Sequence, residues 1–236
     1  ALQRGTSIYL VDRVIPMLPQ KLSNNLCSLR PNEDRLAMTV FMDIQLNPLS
    51  LESYDIKPSV INSNHRMTYN EVTGILVHQN TELRELYKDF VDQLELMNKL
   101  RGKLRNRRFN EGSIDFERTE VKVILDDNGK PIDIKEERHG VAEQLIEEFM
   151  ILANKVVAED MYWRDVPFIY RIHEPPDHER LKEFNEFIHN FGYHIKGIES
   201  EVHSSALQDV LNQVEGEPEE RLINTVLLRS MKKAIY

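Results

Sequence analysis

Apolar and polar positions along the first part of the chain alternate in the manner of β-strands. Partial alternation over Arg35–Leu46 predicts a strand, and weaker alternation over Ser53–Ser63 predicts its pairing partner. Two further extended runs, Val121–Leu125 and Ile132–Ile134, flank the turn dipeptide Asn128-Gly129, which is typical of a hairpin. We therefore expect the first half of the chain to be rich in antiparallel strands.

Helical periodicity dominates most of the rest of the chain. Thr68 and Glu71 have the spacing of a capping box, which predicts a short helix from Tyr69. A stripe of apolar residues with helical period predicts a long helix over 81–108. Further helices are expected over 141–161, from the N-cap Asp177 to Phe191, over 204–214 and over 218–235, with a strand over 167–172.

This order of elements favours one fold class. A strand-rich half followed by a helix-rich half is typical of an α+β fold rather than of a doubly wound sheet. We predict a mixed, largely antiparallel sheet with helices packed around it. No linker rich in Pro, Gly or Ser divides the 236 residues, so a single domain is expected. Because the pattern is already under way at Ala1 and continues to Tyr236, we expect both ends to lie inside a larger protein, so that this domain is incomplete.

The composition limits the cellular compartments and the binding partners to be expected for this protein. The net charge of −9 excludes a histone-like partner of nucleic acid but not a local nucleic-acid contact, because local charge matters more than the total. The lone Cys27 excludes an internal disulfide framework and fits a reducing compartment, so we expect a cytoplasmic protein. The sequence has no apolar run of membrane-spanning length and no N-terminal apolar segment of a signal peptide, so no membrane partner is expected.

Few motifs with a known chemistry occur. The common phosphate-binding and nucleophile loops are absent. The segment His173–His178 gathers four side chains that could bind a metal, but its two adjacent prolines make a stiff turn and favour a structural role. Asp126-Asp127-Asn128-Gly129 lacks the spacing and the closing glutamate of a calcium loop and is interpreted as a hairpin turn.

A basic patch near the end of the long predicted helix has two interpretations. Six cations occur within ten residues, and three of them share one helical face. They could contact phosphates, or they could be a solvated helix end where cations suit the helix dipole. The composition does not decide between these. The six residues are Lys99, Arg101, Lys103, Arg105, Arg107 and Arg108.

An acidic pair on the helix predicted from Val141 is the other candidate. Glu148 lies at the border of the apolar arc of this helix, whereas Glu147 points to the polar side. A carboxylate at an apolar border is either paired or functional, and the residues alone favour a structural pair. Aromatic residues such as Tyr9, Tyr69 and Phe116 are, by composition alone, more often core than site.

Several runs in order along the whole chain resemble one family. They are Arg4–Tyr9, Val14–Pro19, Leu22–Leu29, Asp34–Leu36, His65–Tyr69, Leu145–Asn154, Tyr170–Glu174 and Leu228–Tyr236. Together they resemble the catalytic RNB domain of the ribonuclease R and ribonuclease II family, with the ribonuclease R branch nearer. The resemblance implies the central part of a processive 3′→5′ exoribonuclease that hydrolyses single-stranded RNA to nucleoside 5′-monophosphates with Mg²⁺.

The resemblance also implies roles for particular residues. Tyr9 matches the tyrosine beside the scissile phosphate, and Phe116 matches the phenylalanine that packs with it against the 3′-terminal bases. Tyr69 and Glu148 match the pair associated with choosing ribose over deoxyribose, with Glu147 as the fallback for the carboxylate. Arg66, in the same matched run as Tyr69, is assigned to substrate binding. An aromatic ring that stacks on any base and a carboxylate that reads the 2′-OH suit these tasks.

Two segments of the family pattern have no match in this chain. The metal-binding aspartates, in a pattern like D-x-x-x-x-x-D-x-D-D, and the S-P-I-R-R-Y segment are both missing. The resemblance therefore implies that the Mg²⁺ ligands belong to the longer protein and that the chain by itself is inactive. An RNA-binding module of a catalytically inactive parent is the alternative, and a metal enzyme centred on His173–His178 is a weaker one. A sheet edge left unpaired would also permit a homodimer.

Overall fold

Six antiparallel strands and seven α-helices make up the part of the chain that the computed structural model describes, residues 5–114, 120–137, 139–198 and 202–236. This confirms the predicted α+β fold class. The strands are arranged as three separate two-stranded sheets rather than as one. They are β1 (Ile8–Tyr9) with β2 (Val14–Ile15), β3 (Asp34–Leu46) with β4 (Leu49–Asn62), and β5 (Glu120–Leu125) with β6 (Pro131–Glu137).

The long β3–β4 hairpin confirms the predicted pairing of the two alternating runs. Its register runs from Asp34 opposite Asn62 to Leu46 opposite Leu49, with one irregularity after Asp43. Because side chains alternate between the two faces of a strand, one face carries mainly apolar residues. Near the open end of this face, Leu36 lies opposite Val60, and both side chains are exposed.

The β5–β6 hairpin confirms the predicted turn. The Oδ1 atom of Asp126 accepts hydrogen bonds from the backbone N–H groups of Asn128 and Lys130, both at 2.9 Å. Gly129 has a φ of +77°, which glycine adopts without strain. The Asp126 carboxylate therefore serves the turn, in agreement with the hairpin interpretation.

The helices match most of the predicted ones in position. A one-turn π-helix, Leu22–Leu26, was not predicted. The α-helices are α1 (Tyr69–Leu76), α2 (Thr81–Leu86), α3 (Lys88–Asn110), α4 (Val141–Trp163), α5 (His178–His189), α6 (Ser204–Val214) and α7 (Glu220–Ser230).

Three boundaries differ from the prediction. The helix predicted over 81–108 is interrupted at Tyr87, whose backbone leaves the helical region at φ −111° and ψ 28°. The strand predicted over 167–172 is wrong, because among the described residues only Ile172 pairs, with Ile235. That pairing also explains why α7 stops at Ser230 instead of reaching Ile235: the chain becomes extended at Met231.

The chain divides into two compact units. The first comprises residues 1–100 and 118–153, and the second comprises residues 101–117 and 154–236. In the first unit, Ile75, Val91 and Leu94 form a small buried cluster of α1 and α3. The second unit has the larger core. It is built from α5, the segment that follows it, α6 and α7, and its buried residues are Leu181, Phe184, Ile188, Ile195, Leu207, Val210, Leu211, Val214, Ile223 and Leu227.

Candidate functional site

Two of the predicted site residues, Arg66 and Tyr69, lie on a short segment that enters α1. The side chain of Arg66 is exposed, and the Tyr69 side chain is 49% exposed at the first position of the helix. Upstream, the ring of His65 packs edge-on against Tyr87 and Phe90, with ring centroids 5.5 and 5.1 Å apart. The side chains of Arg66 and Tyr69 thus face solvent, while His65, the first residue of the segment, is held by aromatic contacts.

The Glu71 carboxylate fixes the other end of this segment. Its Oε2 accepts hydrogen bonds from the backbone N–H of Thr68 at 2.6 Å and from the Thr68 hydroxyl at 2.8 Å. The Glu71 backbone N–H donates to the Thr68 Oγ1 at 3.3 Å, which completes the predicted capping box. On its other side, Glu71 Oε1 accepts a hydrogen bond from the Tyr87 hydroxyl at 2.7 Å.

These bonds shift the pKa values of both partners. The backbone hydrogen bond from Thr68, followed by the bond from Tyr87, holds the pKa of Glu71 below its ordinary value. The same bond to Glu71, together with desolvation, raises the pKa of Tyr87. At neutral pH the pair is therefore an ionised carboxylate and a neutral phenol that donates to it.

Tyr9, the predicted catalytic residue, lies on the two-residue strand β1. It pairs with Val14 of β2, and its side chain is 79% exposed. Nearby, the Ser7 hydroxyl accepts a hydrogen bond from the backbone N–H of Met17 at 3.0 Å. Within the described residues the side chains of Tyr9 and Tyr69 make no hydrogen bond or ring contact, so both phenols are open to a ligand.

The two candidate carboxylates on α4 differ in burial. Glu148 is only 2% exposed, on the same helix as the buried apolar residues Ala142 and Leu145, whereas Glu147 is half-buried. An ionised carboxylate is costly to bury unless it is paired. Glu148 does have interaction partners in the structure. Glu147 also has interaction partners, so the two carboxylates differ in burial rather than in pairing.

Phe116, the remaining predicted site residue, lies outside the described residues.

The basic patch makes several contacts within the protein. In the patch, Arg107 forms an ion pair with Glu111 at 2.7 Å, and the guanidinium groups of Arg105 and Arg108 lie 4.7 and 5.3 Å from the ring centre of Phe109. Arg101 and Lys103 also have interaction partners, so five of the six cations are engaged within the protein, which favours the interpretation as a helix end.

The cluster His173–His178 is not assembled as a metal site. His173 Nε2 contacts the backbone carbonyl of Lys232, Glu174 pairs with the Lys232 ammonium at 2.9 Å, and Asp177 caps α5 by accepting from the Glu179 N–H at 2.9 Å. Over the described ranges, no three His, Cys, Asp or Glu side chains come together in a group that could hold a metal ion. The donor sets present there do not fit the Mg²⁺ that the resemblance implies.

A comparison with protein families settles where the chain belongs. The family model of the RNB domain matches residues 1–236 of this chain. The chain belongs to the RNB domain family. This confirms the resemblance drawn from the sequence runs.

Curated relatives of this RNB domain are named ribonuclease R. The chain is 43% identical over 237 residues to ribonuclease R of Thermotoga maritima, 39% identical over 236 residues to ribonuclease R 1 of Lactococcus lactis and 36% identical over 236 residues to ribonuclease R of Escherichia coli. Each match covers 100% of this chain but only 33%, 29% and 29% of the relative. The chain thus spans about a third of the length of these relatives.

Solved structures share the fold of this RNB domain. The apo form of Mycoplasma genitalium RNase R superposes with a TM-score of 0.88 at 28% identity, covering 98% of this chain and 36% of that one. The same enzyme in complex with ribose-methylated single-stranded RNA gives the same TM-score and coverage. Yeast Ssd1, described as a pseudonuclease, matches with a TM-score of 0.72 at 16% identity over 98% of this chain and 27% of that one, which shows a shared fold.

Sequence reasoning missed two features of this RNB domain. The periodic pattern predicts Tyr87 as one apolar position of a long helix, yet its hydroxyl is bonded to Glu71 and its ring contacts His65. Asp160 is 4% exposed and bonded to the Arg164 guanidinium at 2.8 Å, a pair that its i, i+4 helical spacing could have revealed.

Among the helices of the described ranges, none has the length and apolar character of a membrane span.

Proposed function

We propose that this chain is the RNA-contacting part of a processive 3′→5′ exoribonuclease that releases nucleoside 5′-monophosphates from single-stranded RNA. The observation that carries the proposal is the RNB match over the whole chain, together with relatives named ribonuclease R. Structures of the Mycoplasma enzyme with RNA add support, because RNA occupies a protein of this fold. The proposed setting is the cytoplasm, where a chain with one cysteine stays reduced.

The proposed roles combine the family resemblance with the chemistry of the side chains. The open phenol of Tyr9 lies beside the scissile phosphate, and Phe116 packs with it against the terminal bases. The Tyr69 hydroxyl and the Glu148 carboxylate read the 2′-OH, which both donates and accepts a hydrogen bond, with Glu147 as the fallback carboxylate. Exposed Arg66, three positions before Tyr69, supplies a positive charge for the RNA backbone.

The hydrolytic chemistry needs groups from the rest of the longer protein. Divalent metal ions, Mg²⁺ in this proposal, would activate water and stabilise the leaving oxygen. Because the described residues supply no fitting donor set, the task of this chain is to bind and orient RNA. We expect the chain by itself to release no nucleoside monophosphates.

The alternative is an RNA-holding module in a catalytically inactive parent. The fold shared with yeast Ssd1, a pseudonuclease by description, means that architecture alone does not distinguish the two. Both versions use the same RNA-contacting residues. They differ in whether metal-binding aspartates accompany them in the longer protein.

The binding part of the proposal can be tested with the chain itself. Fluorescence anisotropy would compare a single-stranded RNA with the DNA of the same sequence, for the wild type and for Tyr69→Phe and Glu148→Gln. We expect tighter binding of RNA and a ratio of affinities that falls about threefold or more in each variant, because a hydrogen bond to the 2′-OH is lost. Tyr162→Phe, an exposed tyrosine with no assigned role, is the control. Equal affinity of the wild type for RNA and DNA would refute the proposed ribose-reading site.

A further inference from the structure

We propose that Tyr87 is a positioning residue for ribose recognition, acting through a clamp formed by His65, Glu71, Tyr87 and Phe90. This inference rests on the proposed function, since it concerns the presentation of Tyr69 and Arg66 to RNA. None of the four clamp residues is assigned to touch the substrate. Their effect would be exerted by holding the segment that does.

The clamp holds segment 65–71, which carries Arg66 and Tyr69, at both ends through the Tyr87 side chain. At the upstream end, the His65 ring lies edge-on to Tyr87 at 90° and to Phe90 at 79°. At the downstream end, the Tyr87 hydroxyl donates to Glu71 Oε1 at 2.7 Å. Tyr87 thus ties together two residues, six positions apart, that bracket both Arg66 and Tyr69.

The carboxylate of Glu71 connects Tyr87 to Thr68 at the start of α1. While its Oε1 is held by Tyr87, its Oε2 accepts from the N–H and the hydroxyl of Thr68, the residue immediately before Tyr69. Each oxygen of one carboxylate therefore has a separate task. A shift of Glu71 toward or away from Tyr87 would be passed directly to the N-cap and to the Tyr69 phenol.

The backbone around Tyr87 supports a dedicated role. Tyr87 lies in the break between α2 and α3, where its own N–H donates to the Leu83 carbonyl at 3.0 Å and the Phe90 N–H donates to its carbonyl at 2.9 Å. Its side chain is half-buried and packs against the cluster of Ile75, Val91 and Leu94. Contacts other than the bond to Glu71 therefore hold the Tyr87 phenol in place, as a positioning group requires.

Burial around the segment is consistent with this arrangement. Met67, between Arg66 and Thr68, packs against the same cluster, whereas the side chains of Arg66 and Tyr69 remain exposed. The segment is thus anchored through contacts of His65, Met67 and Glu71, and the side chains of its two proposed RNA contacts are exposed. Loss of one anchor should loosen those contacts without removing them.

The test compares two Tyr→Phe changes in the same chain. Tyr87→Phe keeps the ring but removes the bond to Glu71. Tyr193→Phe removes a similar bond, from the Tyr193 hydroxyl to Glu219 Oε1 at 3.0 Å, in the second unit. Affinities for single-stranded RNA and for the matching DNA are measured by anisotropy, and circular dichroism monitors folding. We expect the RNA-to-DNA affinity ratio to fall about threefold in Tyr87→Phe and to stay unchanged in Tyr193→Phe.

A second variant keeps the proposal falsifiable if the first is poorly folded. Glu71→Gln removes the carboxylate that Tyr87 holds, and we expect the same fall in the ratio. The double variant Tyr87→Phe with Glu71→Gln should be no worse than Glu71→Gln alone, because Glu71→Gln already disturbs the connection that Tyr87→Phe breaks. Additive losses would overturn the clamp.

The outcomes separate the two claims. If the ratio falls in Tyr69→Phe but not in folded Tyr87→Phe or Glu71→Gln, the clamp is refuted while the proposed function stands. An equal fall in Tyr193→Phe and Tyr87→Phe also refutes the clamp, since any lost tyrosine bond would then have the same effect. If the wild type shows no preference for RNA, the proposed function is refuted first and the clamp falls with it.

Discussion

Replacement of Thr68 by Ala should destabilise the first turn of α1 by a small, calculable amount. The change removes two hydrogen bonds of the hydroxyl, the one donated to Glu71 Oε2 at 2.8 Å and the long one accepted from the Glu71 N–H at 3.3 Å. The bond from the Thr68 backbone N–H to Glu71 at 2.6 Å and the bond from Tyr87 at 2.7 Å both remain. N-cap losses cost about 0.5–2 kcal/mol, and with half of the contacts kept we expect about 0.5–1 kcal/mol.

Amide hydrogen exchange measures the destabilisation caused by Thr68→Ala directly at the amides of α1. A loss of about 0.5–1 kcal/mol corresponds to exchange that is about two- to fivefold faster at the α1 amides when they open by local fluctuation. Thr68→Ser keeps a capping hydroxyl and is the matched control. Amides of α5, in the other unit, should exchange at the wild-type rate in both variants. The reasoning would be refuted by unchanged exchange in Thr68→Ala, or by a Ser variant that exchanges as fast as the Ala variant.

Three further predictions concern stability and association. Phe184→Ala, which empties a position only 1% exposed in the core of the second unit, should cost about 3–5 kcal/mol in urea unfolding, and a loss below about 1 kcal/mol would contradict the packing described. The hydrogen-bonded carboxyls of Glu71 and Glu111 have pKa values lowered from 4.5, so the stability that they contribute is complete above that pH and is lost as the pH falls through the lowered values. Urea midpoints measured below about pH 4.5 should therefore fall less steeply in Glu71→Gln than in the wild type. If an unpaired sheet edge drives dimerisation, sedimentation should show a mass that rises with concentration, whereas a monomer at every concentration would contradict it.

Local signals predicted the elements that have local causes. The capping box at Thr68 and Glu71, the Asn128-Gly129 turn and the cap at Asp177 all appear in the structure where the sequence placed them. Each depends on residues a few positions apart, so the sequence alone contains the whole interaction. The buried position of Glu148 likewise agrees with its place at the border of the apolar arc of α4.

Features that depend on distant partners were not predicted. The break at Tyr87 goes with contacts to His65 and Glu71, which precede it by 22 and 16 residues, and a helical stripe continues through it in the sequence. The strand expected over 167–172 has high β-propensity, yet its only described partner is Ile235. Propensity indicates what a segment can form, and pairing decides what it does form. The roles of Tyr9, Tyr69 and Phe116 came from the family resemblance, because composition alone favoured core positions.

The most direct test of the account uses the longer protein that contains this chain. Single-stranded RNA labelled at its internal phosphates is incubated with that protein and Mg²⁺, and the products are separated beside a DNA control. A second sample labelled at its 5′ end reports which end is shortened. The account predicts release of nucleoside 5′-monophosphates from the 3′ end of RNA, with the DNA left intact. Tight binding of RNA without release of any monophosphate would contradict the nuclease and indicate the RNA-holding module.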